Sequence, residues 1–437
     1  MNIKKSIKNI LTIKFDKAFG LDIGDRSIEI IELEKLFNFS AITYGRTELP
    51  EGVVENGKII NQSVLAENLK KLLKSAKPKM VSTNKVVVSL PESQVFVYCF
   101  PVDVKPKSGT YLSAIQEKVS TMIPINLNKT YWDYVEKPLA DKTKKLIIFY
   151  CVPKDIANSY VKFCSSIGLE VISLCIESLN PARALLRSSS QQSLIIDIGS
   201  RTTSLSFFDS SDILNMSIVV PVAGEHMTEA IQEKLKIEKV EAEKNKIKFG
   251  FKSGSDDNIK SIILPILEDI LAEVKSSINY YEESFKQKLD NIFVVGGSAL
   301  LPNIADVMKE NLGREVQVAT SGYNINFKPV AGKSNAFPLF ANVIGLGMLG
   351  ASGEYKDMNI LKKIPTSEIT TISKLNLFNL GYLSKVNTIR TIINNKYILT
   401  VLIILIIIIF AILFQQAQNY GFASASSGYA GNSFYQW

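Results

Sequence analysis

This chain of 437 residues has almost no histidine and no closely spaced pair of cysteines. It has one histidine, His226, and its four cysteines, Cys99, Cys151, Cys164 and Cys175, form no C-x-x-C pair. A zinc site or a histidine-based catalytic triad is therefore not expected. The cysteines lie in apolar sequence and are interpreted as reduced core residues. Lysine and arginine form no blocks interleaved with aromatic residues, so the net charge of +8 does not indicate a nucleic-acid partner.

Charged side chains are also missing from residues 397–414 and from residues 415–437. The first stretch, YILTVLIILIIIIFAILF, would be roughly 27 Å long as a helix, close to the thickness of a bilayer's hydrocarbon core. Lysine and arginine recur before it, between residues 353 and 396. The positive-inside rule then predicts a single-pass protein of the inner (cytoplasmic) membrane, with a cytoplasmic N-terminal bulk and a short tail outside.

Strand and helix patterns alternate between residues 18 and 352. Strand patterns occupy residues 19–34 and 193–209, each as a strand–turn–strand hairpin, and residues 84–90, 95–101, 146–152 and 291–295. Apolar residues recur at the spacing of a helix in residues 64–75, 108–122, 155–167 and 303–311. They do so in most of 225–284 as well, with a polar break at 252–258. This mixture predicts an α/β protein of two or three lobes.

The two predicted hairpins contain an internal repeat. Residues 21–27 read L-D-I-G-D-R-S and residues 196–202 read I-D-I-G-S-R-T. The glycine lets the backbone approach a ligand, successive N–H groups form an anion site, and the Arg, Ser and Thr side chains add donors for phosphate. The aspartate before each glycine suits the water shell of Mg²⁺. One copy alone would be explained as a structural turn, but two matched copies predict two lobes that hold phosphate and Mg²⁺ between them.

A third segment, V-V-G-G-S-A at residues 294–299, is a strand that ends in a glycine pair before a helix. Glycines there would let an adenine and its ribose lie against the backbone. An ordinary strand-to-helix turn is the alternative explanation.

These three segments, in this order, resemble the two phosphate motifs and the adenosine motif of the ATPases related to actin, Hsp70 and the sugar kinases. Other segments resemble PilM, the actin-like component of type IV pilus assembly. They include LPEGVVENGKII at residues 49–60, LPESQV at 90–95, ESL at 177–179 and YYE at 280–282. The resemblance covers roughly residues 18–352.

The resemblance implies a two-lobed actin-like fold of the duplicated ribonuclease-H-like type. A small inserted α+β subdomain is expected at about residues 100–150 and the second lobe at about 193–340. It also implies that ATP and Mg²⁺ bind in the cleft with at most weak hydrolysis. Mg²⁺ and water would be positioned by Asp22, Glu177 and Asp197, with Asp22 and Asp197 reaching the metal through water. The implied nucleotide-binding residues are Gly24, Asp25, Arg26, Ser27, Gly199, Ser200, Arg201, Thr202, Gly224, Glu225, Gly296, Gly297 and Ser298.

The implied function is an ATP-binding scaffold that couples the cytoplasmic pilus motor to the inner-membrane platform. PilM proteins bind the short cytoplasmic tail of PilN, so the expected partners are a PilN-like membrane protein or its tail peptide, motor and platform proteins, and the membrane. Self-association is left open.

The C-terminal part departs from the family pattern. PilM ordinarily ends near the position of Leu349, whereas here a basic linker at 353–396, the apolar stretch at 397–414 and a tail at 415–437 follow, and a basic extension occupies 1–17. Residues 357–365, D-M-N-I-L-K-K-I-P, loosely resemble the Asn-hydrophobic-Pro tail of PilN. One hypothesis is that they dock in cis on the actin-like part while the apolar stretch replaces the anchor of PilN. The alternative is a solvated basic linker.

Three other functions fit less well. GspL of type II secretion also joins an actin-like part to one span, but it carries a periplasmic domain and eroded phosphate motifs. FtsA of cell division reaches the membrane with an amphipathic helix. A sugar kinase or a chaperone would need a substrate-binding domain, and none is visible.

Overall fold

The computed structural model describes residues 17–35, 38–105, 109–123, 126–139, 141–186, 191–252, 254, 257–321, 325, 336–353, 355 and 359–365. The extension before residue 17, the predicted span at 397–414 and the tail at 415–437 lie outside those ranges, as does most of the 353–396 linker. Within the ranges given, no helix is both long and apolar enough to cross a membrane.

The elements of the described part are numbered here in chain order. The strands are β1 (Phe19–Ile23), β2 (Ser27–Lys35), β3 (Phe39–Glu48), β4 (Val54–Glu55), β5 (Lys58–Ile59), β6 (Lys85–Leu90), β7 (Phe96–Asp103), β8 (Thr130–Pro138), β9 (Lys144–Pro153), β10 (Glu170–Ile176), β11 (Ser193–Ile198), β12 (Thr203–Phe208), β13 (Leu214–Val220), β14 (Asn291–Val295) and β15 (Gln317–Val318). The helices are α1 (Gln62–Ser75), α2 (Tyr111–Ser120), α3 (Lys154–Ser166), α4 (Leu179–Leu185), α5 (Gly224–Leu235), α6 (Lys239–Phe249), α7 (Asp257–Phe285), α8 (Ile304–Leu312) and α9 (Phe337–Ser352).

The first lobe is built on a five-stranded sheet with the order β10-β6-β1-β2-β3. Strand β1 pairs antiparallel with β2 and parallel with β6. Helix α1 covers this sheet because Leu65, Leu69 and Leu72, spaced four and three residues apart, lie on one face and are buried. Asn61 caps the helix by accepting a hydrogen bond from the backbone N–H of Val64 at 3.1 Å.

The second lobe repeats that arrangement. Its sheet has the order β13-β12-β11-β14-β15, and β11 pairs antiparallel with β12 and parallel with β14. Asp197 of β11 lies opposite Ser204 of β12 and beside Val295 of β14. The repeat seen in the sequence is therefore a repeat of topology, since each lobe starts with the same hairpin beside a parallel strand.

A three-stranded antiparallel sheet, β7-β9-β8, is inserted in the first lobe and is packed by α2. It extends from Phe96 to Pro153, slightly beyond the predicted range of 100–150. The predicted helical region at 225–284 consists of α5, α6 and α7. It is interrupted at Lys236, which has a positive φ, as well as near the polar break.

Helix α9 packs closely on the first lobe because it carries glycine where other elements approach. A side chain at Gly345 would overlap the backbone of Asn180 in α4, and one at Gly347 would meet Ile31 of β2. The same helix also contacts β14 of the second lobe. Beyond it, residues 359–365 lie on the first lobe, which confirms the cis-docking hypothesis for the described part of residues 357–365. Residues 357 and 358 lie outside that part.

Candidate functional site

The turns of the two hairpins have the same backbone geometry. In the first turn the Gly24 N–H donates to the carbonyl of Ser27 at 2.9 Å, and in the second the Gly199 N–H donates to the carbonyl of Thr202 at 3.1 Å. The turns approach each other, because Arg201 Nε lies 3.6 Å from Asp25 Oδ2. The two predicted phosphate motifs are thus brought to one cleft between the lobes.

Three acids predicted to position Mg²⁺ meet at the base of this cleft. Protein surrounds Asp22, Glu177 and Asp197, although each keeps a partly accessible surface. Burial, followed by the charges of Asp22 and Glu92, raises the pKa of Asp197 to about 7. Burial and the charges of Asp22 and Asp197 raise the pKa of Glu177. Acids that raise each other's pKa in this way repel one another when ionised, and a bound cation would relieve that repulsion.

A hydrogen-bonded relay orients Asp22. Its Oδ1 accepts from Ser89 Oγ at 2.7 Å, Asn342 of α9 lies 3.4 Å from that hydroxyl, and Asn180 of α4 donates to Asn342 Oδ1 at 2.7 Å. Burial still raises the pKa of Asp22, against the lowering effect of its bonds to Ser89 and Asn342. The aspartate is therefore held in place by two helices as well as by its own strand.

Glu92 is a fourth acid at this place. It lies in LPESQV, one of the segments that resemble PilM, but was not predicted as a site residue. Its backbone N–H donates to Glu177 Oε2 at 3.0 Å, and its own carboxylate accepts from the Ser178 N–H at 3.1 Å and from Ser217 Oγ at 2.6 Å. Because Ser217 lies on β13 of the second lobe, Glu92 ties the two lobes together. Burial raises its pKa.

A magnesium ion fits this arrangement only through water. No group of three or more His, Cys, Asp or Glu side chains that could ligate a metal directly occurs among the residues that the structure describes. Mg²⁺ commonly keeps several waters and binds proteins through few carboxylates. The acids at the base of the cleft therefore suit a hydrated cation whose remaining ligands are phosphate oxygens.

Cations line the mouth of the cleft and share one carboxylate, that of Glu225. Arg26 forms an ion pair with it, Arg201 Nε lies 3.2 Å from it, and Lys239 Nζ lies 2.5 Å from it. Burial alone would raise the pKa of Glu225, but the hydrogen bonds and charges of Arg26 and Lys239 lower it to about 2. The resemblance implied that Glu225 binds the nucleotide directly. The structure shows it among the cations of both lobes.

The guanidinium of Arg26 has unused binding capacity. One nitrogen, Nη2, bonds Glu225 and also lies 2.9 Å from Glu51, whereas Nη1 is buried with no hydrogen-bond partner within the described residues. A buried N–H left unpaired is unfavourable, and a phosphate oxygen would satisfy it. The site thus fits the anionic group that the hairpin motifs predict.

The segment predicted to contact adenosine lies beside the second hairpin. Gly296 has a φ of +87°, and a side chain there would overlap Asp197 and the Ile198 carbonyl. Ser298 Oγ lies against Gly224, where a Cβ would stand only 2.5 Å away. The motif, the start of α5 and the phosphate turn therefore form one surface, without side chains between them.

Lys246 lies at the edge of this surface, beside Gly224. It was not among the predicted site residues. It is buried, and its Nζ donates to the Gly224 carbonyl and to Thr228 Oγ1, both at 2.8 Å. Burial lowers its pKa, and Glu243 at 2.7 Å opposes that shift. Nothing in the charged sequence of α6 distinguishes this lysine from its neighbours, so only the fold reveals its position.

Residues 20–348 match the family of type IV pilus assembly protein PilM. The chain belongs to the PilM family. No functionally curated protein matches it in sequence. Its resemblance to PilM is therefore confirmed, and GspL, FtsA and the sugar kinases are not favoured.

Solved structures of three proteins are similar to this chain to different degrees. The structure of a PilM–PilN type IV pilus biogenesis complex has a TM-score of 0.62 at 20% identity, covering 77% of this chain and 98% of that chain. The ethanolamine utilization protein EutJ from Carboxydothermus hydrogenoformans has a TM-score of 0.47 at 17% identity, over 76% and 89% of the two chains. MreB 5 of Spiroplasma citri bound to AMPPNP has a TM-score of 0.45 at 15% identity, over 78% and 98%. The first of these supports the actin-like fold of the PilM family, and the other two are too distant to add to it.

Proposed function

We propose that this protein is a scaffold of type IV pilus assembly that binds Mg-ATP between its lobes and couples the pilus motor to the membrane platform through a PilN-like protein. Family membership supports the role in pilus assembly. The observation that carries the nucleotide proposal is the pair of matched hairpin turns that meet above the buried Glu92 and the partly accessible Asp22, Glu177 and Asp197. Arg26 Nη1, at the mouth of the same cleft, has no hydrogen-bond partner within the described residues.

Different residues of the cleft contact different parts of the Mg-ATP. Asp22, Glu177 and Asp197 orient Mg²⁺ through water, and the bound ion supplies the positive charge that these acids lack. Arg26 and Arg201 hold phosphate oxygens. Gly24, Asp25, Ser27, Gly199, Ser200 and Thr202 shape the two turns. Gly224, Gly296, Gly297 and Ser298 form the nucleoside side with Lys246, and Glu225 orients the cations at the mouth.

The proposal treats the nucleotide as a device that biases how the lobes close, with at most weak hydrolysis. A ligand shifts such an equilibrium only by its different affinity for the open and closed states. Arg26, Glu225 and Arg201 join the lobes at the cleft mouth, so phosphate that recruits the arginines would change a contact between lobes.

We also propose that residues 397–414 anchor the chain in the inner membrane, with residues 18–352 on the cytoplasmic side. Their uncharged sequence and the lysines and arginines before them support this. A chain ending at residue 365 should then be released from membranes by washing, whereas the full chain should resist extraction at high pH. Equal release of both chains would exclude the anchor.

Co-purification tests the pilus role. The full chain is isolated in detergent from its own cells, and the accompanying proteins are identified by mass spectrometry. Motor and platform proteins of the pilus, including a PilN-like protein, are the expected result. Recovery of secretion components or of a division tubulin would overturn the assignment to the pilus.

A further inference from the structure

After α9 the chain returns to the first lobe and lies between two sheet edges. Residues 359–364 contact β10, the edge strand of the five-stranded sheet, and β8, the edge strand of the inserted sheet. Edge strands present unpaired backbone groups and are natural docking sites for short chain segments. Here Asn359 Oδ1 accepts a hydrogen bond from the backbone N–H of Leu174 in β10 at 3.1 Å.

Two aliphatic side chains anchor the segment. Ile360 is 1% exposed and Ile364 is 4% exposed, and both belong to the core that includes Tyr131 of β8 and Leu174 of β10. Lys363, beside the second anchor, lies 3.2 Å from Asp133 of β8. The groove thus recognises an amide, two aliphatic side chains and a cation, each through a separate contact.

The segment has the character of a bound peptide. It is a short 3-10 turn whose backbone bonds close within itself, from Leu361 to the Asn359 side chain and from Ile364 to the Leu361 carbonyl. It pairs with neither strand edge as a ladder in the described part. Only residues 353–358 separate it from the end of α9, so the short tether keeps its local concentration high.

We propose that residues 359–364 are a tethered ligand of the groove between β8 and β10, a site for peptides of the pattern Asn-aliphatic-x-x-Lys-aliphatic. The resident segment excludes a separate peptide of this chemistry, which enters only when the segment leaves. Departure alone would expose apolar side chains on both surfaces to water, so it is coupled to the entry of a replacement. The inference rests on the proposed function only for the identity of a natural competitor, a partner's tail.

Peptide binding to the full chain in detergent tests the exclusion. The probe is a fluorescein-labelled synthetic peptide with the sequence of residues 355–367, followed by fluorescence anisotropy. The double variant Ile360→Asp/Ile364→Asp should bind it at least about tenfold more tightly than the unaltered chain, because the tethered competitor is undocked. Val240→Asp/Ile247→Asp is the matched control, since these aliphatic side chains are 68% and 49% exposed and lie on the second lobe.

A charge reversal tests the site itself. Adding Asp133→Lys to the undocked chain should weaken the peptide several-fold, and a peptide with Glu in place of Lys363 should recover that loss. Asn359→Ala, a milder change to the resident segment, should give an affinity between those of the unaltered and undocked chains.

Equal affinity in the unaltered and undocked chains would overturn the proposal. So would a lack of binding in an undocked chain that retains the melting temperature of the control. ATP binding, measured on the same samples, reports separately on the nucleotide cleft, so a failure of the peptide proposal is distinguishable from a failure of the proposed function.

Discussion

Glu225 is the residue on which the charges of the cleft mouth converge. It is shared by Arg26, Arg201 and Lys239, which come from both lobes. Its pKa lies below the ordinary value, at about 2, so its contribution to stability is present above pH 4.5 and is lost as the pH falls through about 2. At neutral pH the carboxylate therefore contributes its full share.

Glu225→Gln should lower the free energy of unfolding of the nucleotide-free protein by about 1–3 kcal/mol, because three cations lose a shared, mostly buried partner. Urea unfolding measures the change. Glu229→Gln is the matched control on the same helix, since Glu229 is 54% exposed and lies 3.8 Å from Lys239. Its effect should stay within about 0.5 kcal/mol. Equal losses in the two variants would contradict a central role for Glu225.

In the proposed Mg-ATP site, Asp197 should make Mg²⁺ binding depend on pH. Its pKa is raised from 3.8 to about 7, so the folded nucleotide-free protein holds a proton that the unfolded chain releases. The stability that this proton supplies is present at low pH and is lost as the pH rises toward 7. Mg²⁺ needs the carboxylate form, so its affinity changes in the opposite direction.

The affinity for Mg-ATP should therefore rise by up to about tenfold per pH unit between pH 6 and 7 and then level off. In Asp197→Asn the rise in affinity that comes from Asp197 should disappear. Only the pH dependence caused by titration of ATP itself should remain, and the unaltered protein shares it. Fluorescence titration at pH 6, 7 and 8 measures it. Asp306→Asn, on α8, is a control that should keep the full pH dependence. The same slope in Asp197→Asn would exclude Asp197 from the metal site.

The sequence predicted the candidate site residues that lie within a short motif, and the structure brings them to one cleft. Asp22, Gly24, Asp197 and Gly199 occur in the repeat itself, and the backbone geometry of the turns follows from it. Glu92, Ser89, Asn342 and Lys246 were missed, because their roles depend on contacts between elements that are far apart in the chain. No local pattern of residue types encodes such contacts.

At the scale of elements, the strands that the sequence patterns did not predict all lie at the edges of sheets. Strands β3, β8, β10, β13 and β15 and the two-stranded sheet of β4 and β5 were not predicted, and each of these strands lies at the edge of its sheet. Interior strands such as β6 and β11 are buried on both faces and read as continuous apolar runs. Edge strands such as β8 keep half-exposed residues and take their conformation from the neighbouring strand, so their own sequence gives a weaker signal.

Helix α9 depends on glycine for its close approach to α4. Gly345→Ala should destabilise the protein by about 1–3 kcal/mol, because the new Cβ would overlap the backbone of Asn180, which cannot rotate away. Thermal unfolding measures the loss. Gly45→Ala is the control, since its Cβ would meet the movable end of Leu72 at 2.8 Å and should cost less. A larger loss in Gly45→Ala would contradict this explanation of the packing.

At the scale of the whole actin-like part, the contacts that join the lobes within the described residues include three at different heights of the cleft. Glu92 and Ser217 meet near the acids, Arg26 and Glu225 meet at the mouth, and Lys137 of the inserted sheet forms an ion pair with Asp209 of the second lobe. A nucleotide that recruits Arg26 would act on the mouth and leave the other two in place. The expected motion is therefore a small adjustment of the mouth.

The central claim, that Mg-ATP binds between the lobes, is tested most directly by isothermal titration of ATP into the full chain in detergent, with and without Mg²⁺. We expect a single ATP to bind, with weaker binding when Mg²⁺ is omitted. Arg26→Ala and Asp197→Asn should each weaken it by at least about tenfold, because one removes a phosphate donor and the other a metal-orienting carboxylate. Absence of binding in the unaltered chain, or affinities that both variants leave unchanged, would contradict the claim.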